Sequence, residues 1–201
     1  MTIANAHRYS YGFSIIELLV ASFISLMVLA VVTGVFISGF NSFSQRSLQL
    51  MVAQDANDAL KILKEDILRA GYNSSTNSSF VISGAASTVY IKPSSSGNSN
   101  CIAYGYNDGK KEYFRSYYLK DNKLNFYATK DEVITTSTAC EGGKSVLDNK
   151  QLKVTKFELT EKKLTVGSVN SKYITINLEI ATRDDAISAA KTITVKTRNW
   201  T

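Results

Sequence analysis

The sequence predicts an α+β protein: one long N-terminal helix, transmembrane and then amphipathic, packed on a C-terminal antiparallel β-rich head. Three observations predict it. Leu18–Phe40 has no charged side chain, and Leu48–Ile67 repeats apolar residues at three- and four-residue spacing. Beyond Tyr72 the chain breaks into short β-branched and aromatic runs separated by Ser, Asn, Asp and Gly. With 201 residues, 44% hydrophobic and 20% charged, it can bury a sizeable core, and the single Pro excludes collagen-like or proline-rich architecture. The single His, His7, leaves no imidazole for a Ser-His-Asp or Cys-His system elsewhere in the chain.

The first element follows from length and charge. Met1–Gly12 is polar, with His7, Arg8 and no acidic residue. The apolar run that follows spans roughly 35 Å as a helix from Leu18 to Phe40, against a bilayer core of about 30 Å. Cations before it and no acids place the N-terminus in the cytoplasm. A cleaved secretory signal fits poorly, because its apolar region is shorter and ends in a small-residue cleavage site. Glu17 stands at the head of the run, where a carboxylate costs a few kcal/mol on insertion scales and marks a functional position.

Gly12-Phe13-Ser14-Ile15-Ile16-Glu17-Leu18-Leu19 resembles the processing site of type IV prepilins and type II secretion pseudopilins. The resemblance implies that prepilin peptidase cuts between Gly12 and Phe13 and N-methylates Phe13. It also implies that Glu17 pairs with the N-terminal amine of a neighbouring subunit, a counter-charge that an amine in an apolar bundle requires. The plainer reading of Glu17 is a carboxylate snorkelling to the headgroups.

The second element is the stalk. Leu48, Val52, Ala56, Ala59, Leu60, Leu63 and Ile67 form one face, and Asn57, Asp58, Lys61, Lys64 and Glu65 the other. Gly71, following Arg69, ends the helix, so Phe13–Ala70 reads as a single helix of about 87 Å. Gly34 and Gly39 either loosen it or allow close helix packing. Leu63-x-x-Asp66-Ile67-x-x-Ala70-Gly71-Tyr72 resembles the stalk end of PilW-type minor pilins and J-type pseudopilins.

The third element is the head. Strands are expected at Phe80–Ile82, Thr88–Lys92, Ala103–Tyr106, Lys111–Lys120, Lys123–Thr129, Leu152–Leu159, Tyr173–Thr182 and Lys191–Arg198. Turns are expected at Asn107-Asp108-Gly109 and Asp121-Asn122, and Ser/Asn-rich loops at Asn73–Ser79 and Ser94–Asn100. Tyr113, Phe114, Tyr117, Tyr118, Phe126 and Tyr127 read as the two faces of a sheet. Cys101 and Cys140, the only cysteines, read as one disulfide in an oxidising compartment; their spacing is not CxxC.

The chemistry of enzymes is not legible. Asp131-Glu132 and Asp184-Asp185 read as turn or solvated charges, and Asn107-Asp108 lacks EF-hand spacing for calcium. No cofactor or metal site is expected. Residues 73–201 carry 18 basic and 12 acidic side chains, spread along the chain; a solvated surface accounts for them, with weak DNA contact as the other reading.

The expected organisation is a cleaved leader at 1–12, a transmembrane and filament-core helix at 13–40, an amphipathic stalk at 41–71 and a β-rich head at 72–201. The resemblance implies a non-enzymatic minor type IV pilin involved in priming, assembly or the tip of the pilus. Its partners would be prepilin peptidase, other minor and major pilins and the inner-membrane assembly machinery. It would reside in the bacterial inner membrane with a periplasmic head, then in the pilus at the cell surface. The alternatives are a J-type pseudopilin of type II secretion, or a tip adhesin or DNA-uptake pilin using a basic head.

Overall fold

The computed structural model describes residues 12–94, 97–166 and 169–198. The chain divides after Ser47 into two compact units, taken here in turn. Of the expected leader, residues 1–11, including His7 and Arg8, lie outside the described residues, as do Ser95 and Ser96 of the second Ser/Asn loop.

Helix α1 (Ile15–Ile67) is unbroken through Gly34 and Gly39. In the first unit its side chains are all exposed, and its most apolar window reaches a mean hydropathy of 2.7. Three hydroxyl side chains inside this stretch bond along the helix itself. Ser22 donates to the Leu19 carbonyl, Ser25 to Ala21 and Thr33 to Leu29, each at 2.8 Å. That internal pairing suits a helix in hydrocarbon, where no water is available.

The second unit begins at Leu48. The end of α1 buries Val52, Ala56, Ala59, Leu60, Leu63 and Ile67, while Asn57, Asp58, Lys61, Lys64 and Glu65 stay exposed. Leu48 departs from the expected stripe: it is 42% exposed, one turn ahead of the first buried position. The helix ends at Ile67 rather than Ala70, in a turn where Gly71 has φ 81°, a left-handed conformation that glycine adopts without strain. Gly71 N–H donates to the Gly105 carbonyl at 2.9 Å, tying that turn to the head.

Two antiparallel sheets make the rest. The first has the order β1 (Val89–Ile91), β2 (Cys101–Asn107), β3 (Glu112–Lys120), β4 (Lys123–Lys130) and β5 (Lys144–Ser145). The second runs β6 (Leu152–Val166), β7 (Val169–Thr182) and β8 (Ser188–Lys196). Asp121 and Asn122, both near φ 55°, form the two-residue turn between β3 and β4, with Lys120 paired to Lys123. Phe80–Ile82 is not a strand. Phe80 N–H bonds to the Gly71 carbonyl, and its ring fills the space beside Gly105, where a Cβ would meet Phe80 Cε1 at 2.5 Å.

The core has two parts. The main one joins the α1 stripe to Ile102, Tyr104, Tyr117 and Leu124 of the first sheet and to Phe157, Ile174, Ile176 and Val195 of the second. A smaller cluster, with Ile82, Ala103, Phe114, Ile134 and Ala139, covers the other face of the first sheet. The aromatic residues of β3 and β4 divide as strand alternation requires: Tyr117 and Phe126 turn to the main core, Phe114 and Tyr127 to the smaller one.

A charge sits at the end of the helix stripe. Asp66 accepts from the Tyr117 hydroxyl at 2.8 Å and lies 3.8 Å from Arg115 Nε, with only 14% and 21% of the acidic and basic side chains exposed. Arg115 also stacks over the Phe126 ring, 5.4 Å from its centroid. Burial, and then the nearby Asp66 carboxylate, push the Tyr104 and Tyr117 hydroxyls well above the ordinary tyrosine value.

Two predictions follow from this junction. Asp66→Ala leaves Arg115 without its counter-charge and should cost about 3 kcal/mol in urea unfolding of the detergent-solubilised protein, against about 1 for Tyr117→Phe. The raised tyrosine pKa values mean that the folded state keeps protons which the unfolded state releases from about pH 10 upward. That contribution is therefore intact below pH 10 and lost above it, and Tyr104→Phe should flatten the alkaline decline of the unfolding midpoint.

Candidate functional site

The residues at the start of α1 adopt a reciprocal cap. Ser14 precedes the helix, and its backbone N–H donates to Glu17 Oε2 at 3.0 Å while Ile16 N–H reaches Ser14 Oγ at 3.4 Å. Ser14-Ile15-Ile16-Glu17 thus has the spacing of a capping box, with the acid bonding back to the serine N–H and the serine reaching the second helical N–H rather than the third. The Ser-x-x-acid spacing that signals such a cap is present in the sequence as Ser14 and Glu17. In this chain Glu17 therefore has a local partner besides any that another subunit offers.

Gly12 and Phe13 lie ahead of that cap, outside the helix. Phe13 is 89% exposed, and a Cβ built on Gly12 would meet nothing within 4 Å. A requirement for glycine at this position would therefore arise in whatever binds the segment, not in the packing of the chain itself. Behind it, no charge interrupts the sequence between Glu17 and Arg46.

In the head, Cys101 at the start of β2 is bonded to Cys140, 39 residues on. The acidic pairs are turn residues. Asp131, with φ 60°, accepts from Glu112 N–H, and Glu132 accepts from the Thr129 hydroxyl. Asp184 accepts from Ala186 N–H and Asp185 pairs with Lys153. Asp108 spends one carboxylate oxygen on the Lys110 and Lys111 N–H groups, which lower its pKa. No group of three His, Cys, Asp or Glu side chains able to hold a metal occurs among the described residues.

An open cleft of about 540 Å³ near the end of α1 mixes Glu65 and Asp108 with Arg69, between Tyr72 and Tyr106. It gathers no nucleophile and base. Four of the head's lysines, Lys111, Lys153, Lys156 and Lys172, are each paired with an acid.

Two comparisons bear on the whole chain. The prokaryotic N-terminal methylation motif matches residues 7–33, which include Gly12, Phe13 and Glu17. The sequence model of prepilin peptidase-dependent protein B matches residues 45–197, well over half of the chain. The chain belongs to the prepilin peptidase-dependent protein B family. It is a type IV pilin-like protein, with the apolar N-terminal helix and β-rich head described above. No curated protein and no solved structure matches it. Within this member of the family the methylation motif covers the first part of the exposed apolar helix, up to Thr33, and the family match covers the end of that helix with both sheets.

The disulfide offers a direct measurement on this family member. It closes a long loop, worth roughly 3–4 kcal/mol in the chain-entropy account. Replacing Cys101 and Cys140 together by Ser should lower the stability by about that amount in denaturant titrations. The unreduced wild type should resist alkylation until it is reduced.

Proposed function

We propose that the protein is a minor type IV pilin, cleaved by prepilin peptidase between Gly12 and Phe13, methylated on the Phe13 amine and assembled with other pilins. The observation that carries this reading is the junction at Ser14. An exposed Gly-Phe peptide stands immediately ahead of a capped helix that carries no charge between Glu17 and Arg46 and whose apolar surface there no described residue covers. Such a surface has two natural occupants in turn, the lipid of the inner membrane and the apolar helices of other subunits. The basic leader puts the N-terminus in the cytoplasm and the head in the periplasm, where the Cys101–Cys140 bond is at home.

Glu17 acts in assembly as the counter-charge for a neighbour's N-terminal amine. Leaving its own cap costs the chain about 1 kcal/mol, less than the cost of leaving an amine unpaired in an apolar bundle.

Processing tests the first step. Gly12→Leu should leave the full-length precursor in membranes containing prepilin peptidase, whereas wild type yields a product whose N-terminal sequence begins at Phe13. Wild-type chain that keeps residues 1–12 in such membranes would overturn the proposal. Glu17→Leu should still be cleaved and membrane-bound, because Gly12 and Phe13 are intact and a buried charge is removed. It should be recovered with other pilins in clearly smaller amounts, with Glu17→Asp intermediate.

A further inference from the structure

The second sheet meets α1 with one face only. Ile174, Ile176, Leu178 and Ile180 of β7 turn to the main core, so the residues alternating with them form an outer face on the far side of the sheet from the helix stripe. The register aligns that face in rows across the three strands. Lys162, Tyr173 and Lys196 make the first row, Thr160, Thr175 and Thr194 the second, and Glu158, Asn177 and Thr192 the third. All of these side chains are exposed or half-buried.

The first row differs from the rest of the head. Tyr106, Tyr113, Tyr117 and Tyr127 each have a ring partner, a hydrogen bond or a place in a core cluster. Tyr173 has none of these among the described residues, although it is only half-buried and stands between two lysines. Lys162 and Lys196 are exposed with no described acid at ion-pair distance, whereas Lys153, Lys156 and Lys172 of the same sheet each have one. The two lysine Cα atoms lie about 10 Å apart across the strands, close enough for both ammonium groups to reach over the ring between them. The acids of this face, Glu158 and Glu179, are in more distant rows, and Lys156 engages Glu158 at 3.1 Å.

The adjoining rows offer hydrogen-bonding groups in place of charge. Thr175 and Thr194 bond each other at 3.1 Å, and the Thr192 hydroxyl donates to Asn177 at 2.8 Å, which holds these short side chains in place. Fixed hydroxyl and amide groups beside an open aromatic ring and two cations suit a ligand with many hydroxyls, a flat apolar side and isolated negative charges. Nucleic acid fits less well, because a strand of phosphates is met by cations along its whole track, and here they stop after one row.

We propose that this corner of the outer face binds a carboxylated polysaccharide. Lys162 and Lys196 take the carboxylate of one uronate unit, the Tyr173 ring lies under that sugar, and the threonine row meets the hydroxyls of the next. Assembly through α1 leaves the site accessible, because it lies on the opposite side of the sheet. That accessibility rests on the pilin reading; the binding itself does not.

The test uses the full-length protein in a polyoxyethylene detergent, which carries no sugar, and polygalacturonate immobilised on a sensor surface. Wild type should bind reversibly, and more weakly as salt is raised. Lys162→Gln and Lys196→Gln should each weaken binding several-fold, and together about tenfold or more. Tyr173→Ala should weaken it about tenfold, while Tyr173→Phe, which keeps the ring, should stay within about twofold of wild type. Lys163→Gln, on the other face of the same strand, controls for unspecific attraction and should change nothing. Fully methyl-esterified polygalacturonate, with the same sugars but no charge, should be held poorly. The proposal is overturned by no binding to polygalacturonate, undiminished binding of the ester, or equal losses from Lys163→Gln and Lys162→Gln. Full binding by Tyr173→Ala, or tighter binding of a single-stranded oligonucleotide, overturns it too. None of these outcomes bears on cleavage at Gly12, so the pilin reading stands or falls separately.

Discussion

Everything in the head depends on one helix face. Val52, Ala56, Leu60, Leu63 and Ile67 are almost completely buried, and the residues they meet come from both sheets. Neither sheet would have an apolar partner for that surface without the helix. The sheets touch each other through few direct backbone contacts, such as the bridge from Ser99 to Leu159. Burying each large aliphatic side chain contributes about 1.5–3 kcal/mol, so the stripe is the largest organised source of stability that links the two sheets. The same helix, a few turns earlier, presents apolar residues on every side. One continuous element thus changes from apolar all round to apolar on one face at about Leu48, and the unit boundary falls there.

The polar junction at the end of the stripe fits that role. Asp66 follows Leu63 by three positions and precedes Ile67, so it stands at the margin of the buried face rather than in solvent. Arg115 and Tyr117 alternate with Ser116 on β3 and point to that margin. A buried ion pair is weak evidence of stabilisation, because desolvation offsets most of its attraction. Its directional bonds do fix the angular setting of the helix end, which apolar packing alone constrains less.

Much of this could be read in the sequence, and the failures have physical reasons. The helix stripe, the Gly71 stop and the Asp121-Asn122 turn rest on local chemistry: periodicity, a left-handed glycine and two residues that tolerate positive φ. The Phe80–Ile82 segment has strand composition but bonds to a turn. Nothing local distinguishes a side chain that fills a gap beside Gly105 from one on a ladder. The extension of β6 beyond Leu159 and of β7 before Tyr173 is not legible, because Thr160–Leu164 is exposed on both faces. A strand without a buried face has no alternating pattern to detect. The Asp66–Arg115 pair joins residues distant in sequence, and neither residue type predicts burial. At the candidate site, Gly12 and Phe13 are legible only through the resemblance of Gly12–Leu19 to prepilin processing sites, and Glu17 also as an acid at the head of an apolar run. The local bond between Ser14 and Glu17 has its own sequence signal, a serine three residues ahead of an acid.

The covalent bond between Cys101 and Cys140 also sets how far this molecule can be stretched. A chain drawn out beyond its fold lengthens by about 3.4 Å for each residue released. The 39 residue steps from Cys101 to Cys140 are bypassed by the bond, and about 130 Å of contour length is withheld from any pull transmitted along the backbone. β3 and β4 lie wholly inside that closed ring, while β6, β7 and β8 lie outside it. Under tension the segments outside the ring, the three-stranded sheet with β1 and β5 among them, are the extensible part, and the ring itself is an almost fixed length of rope.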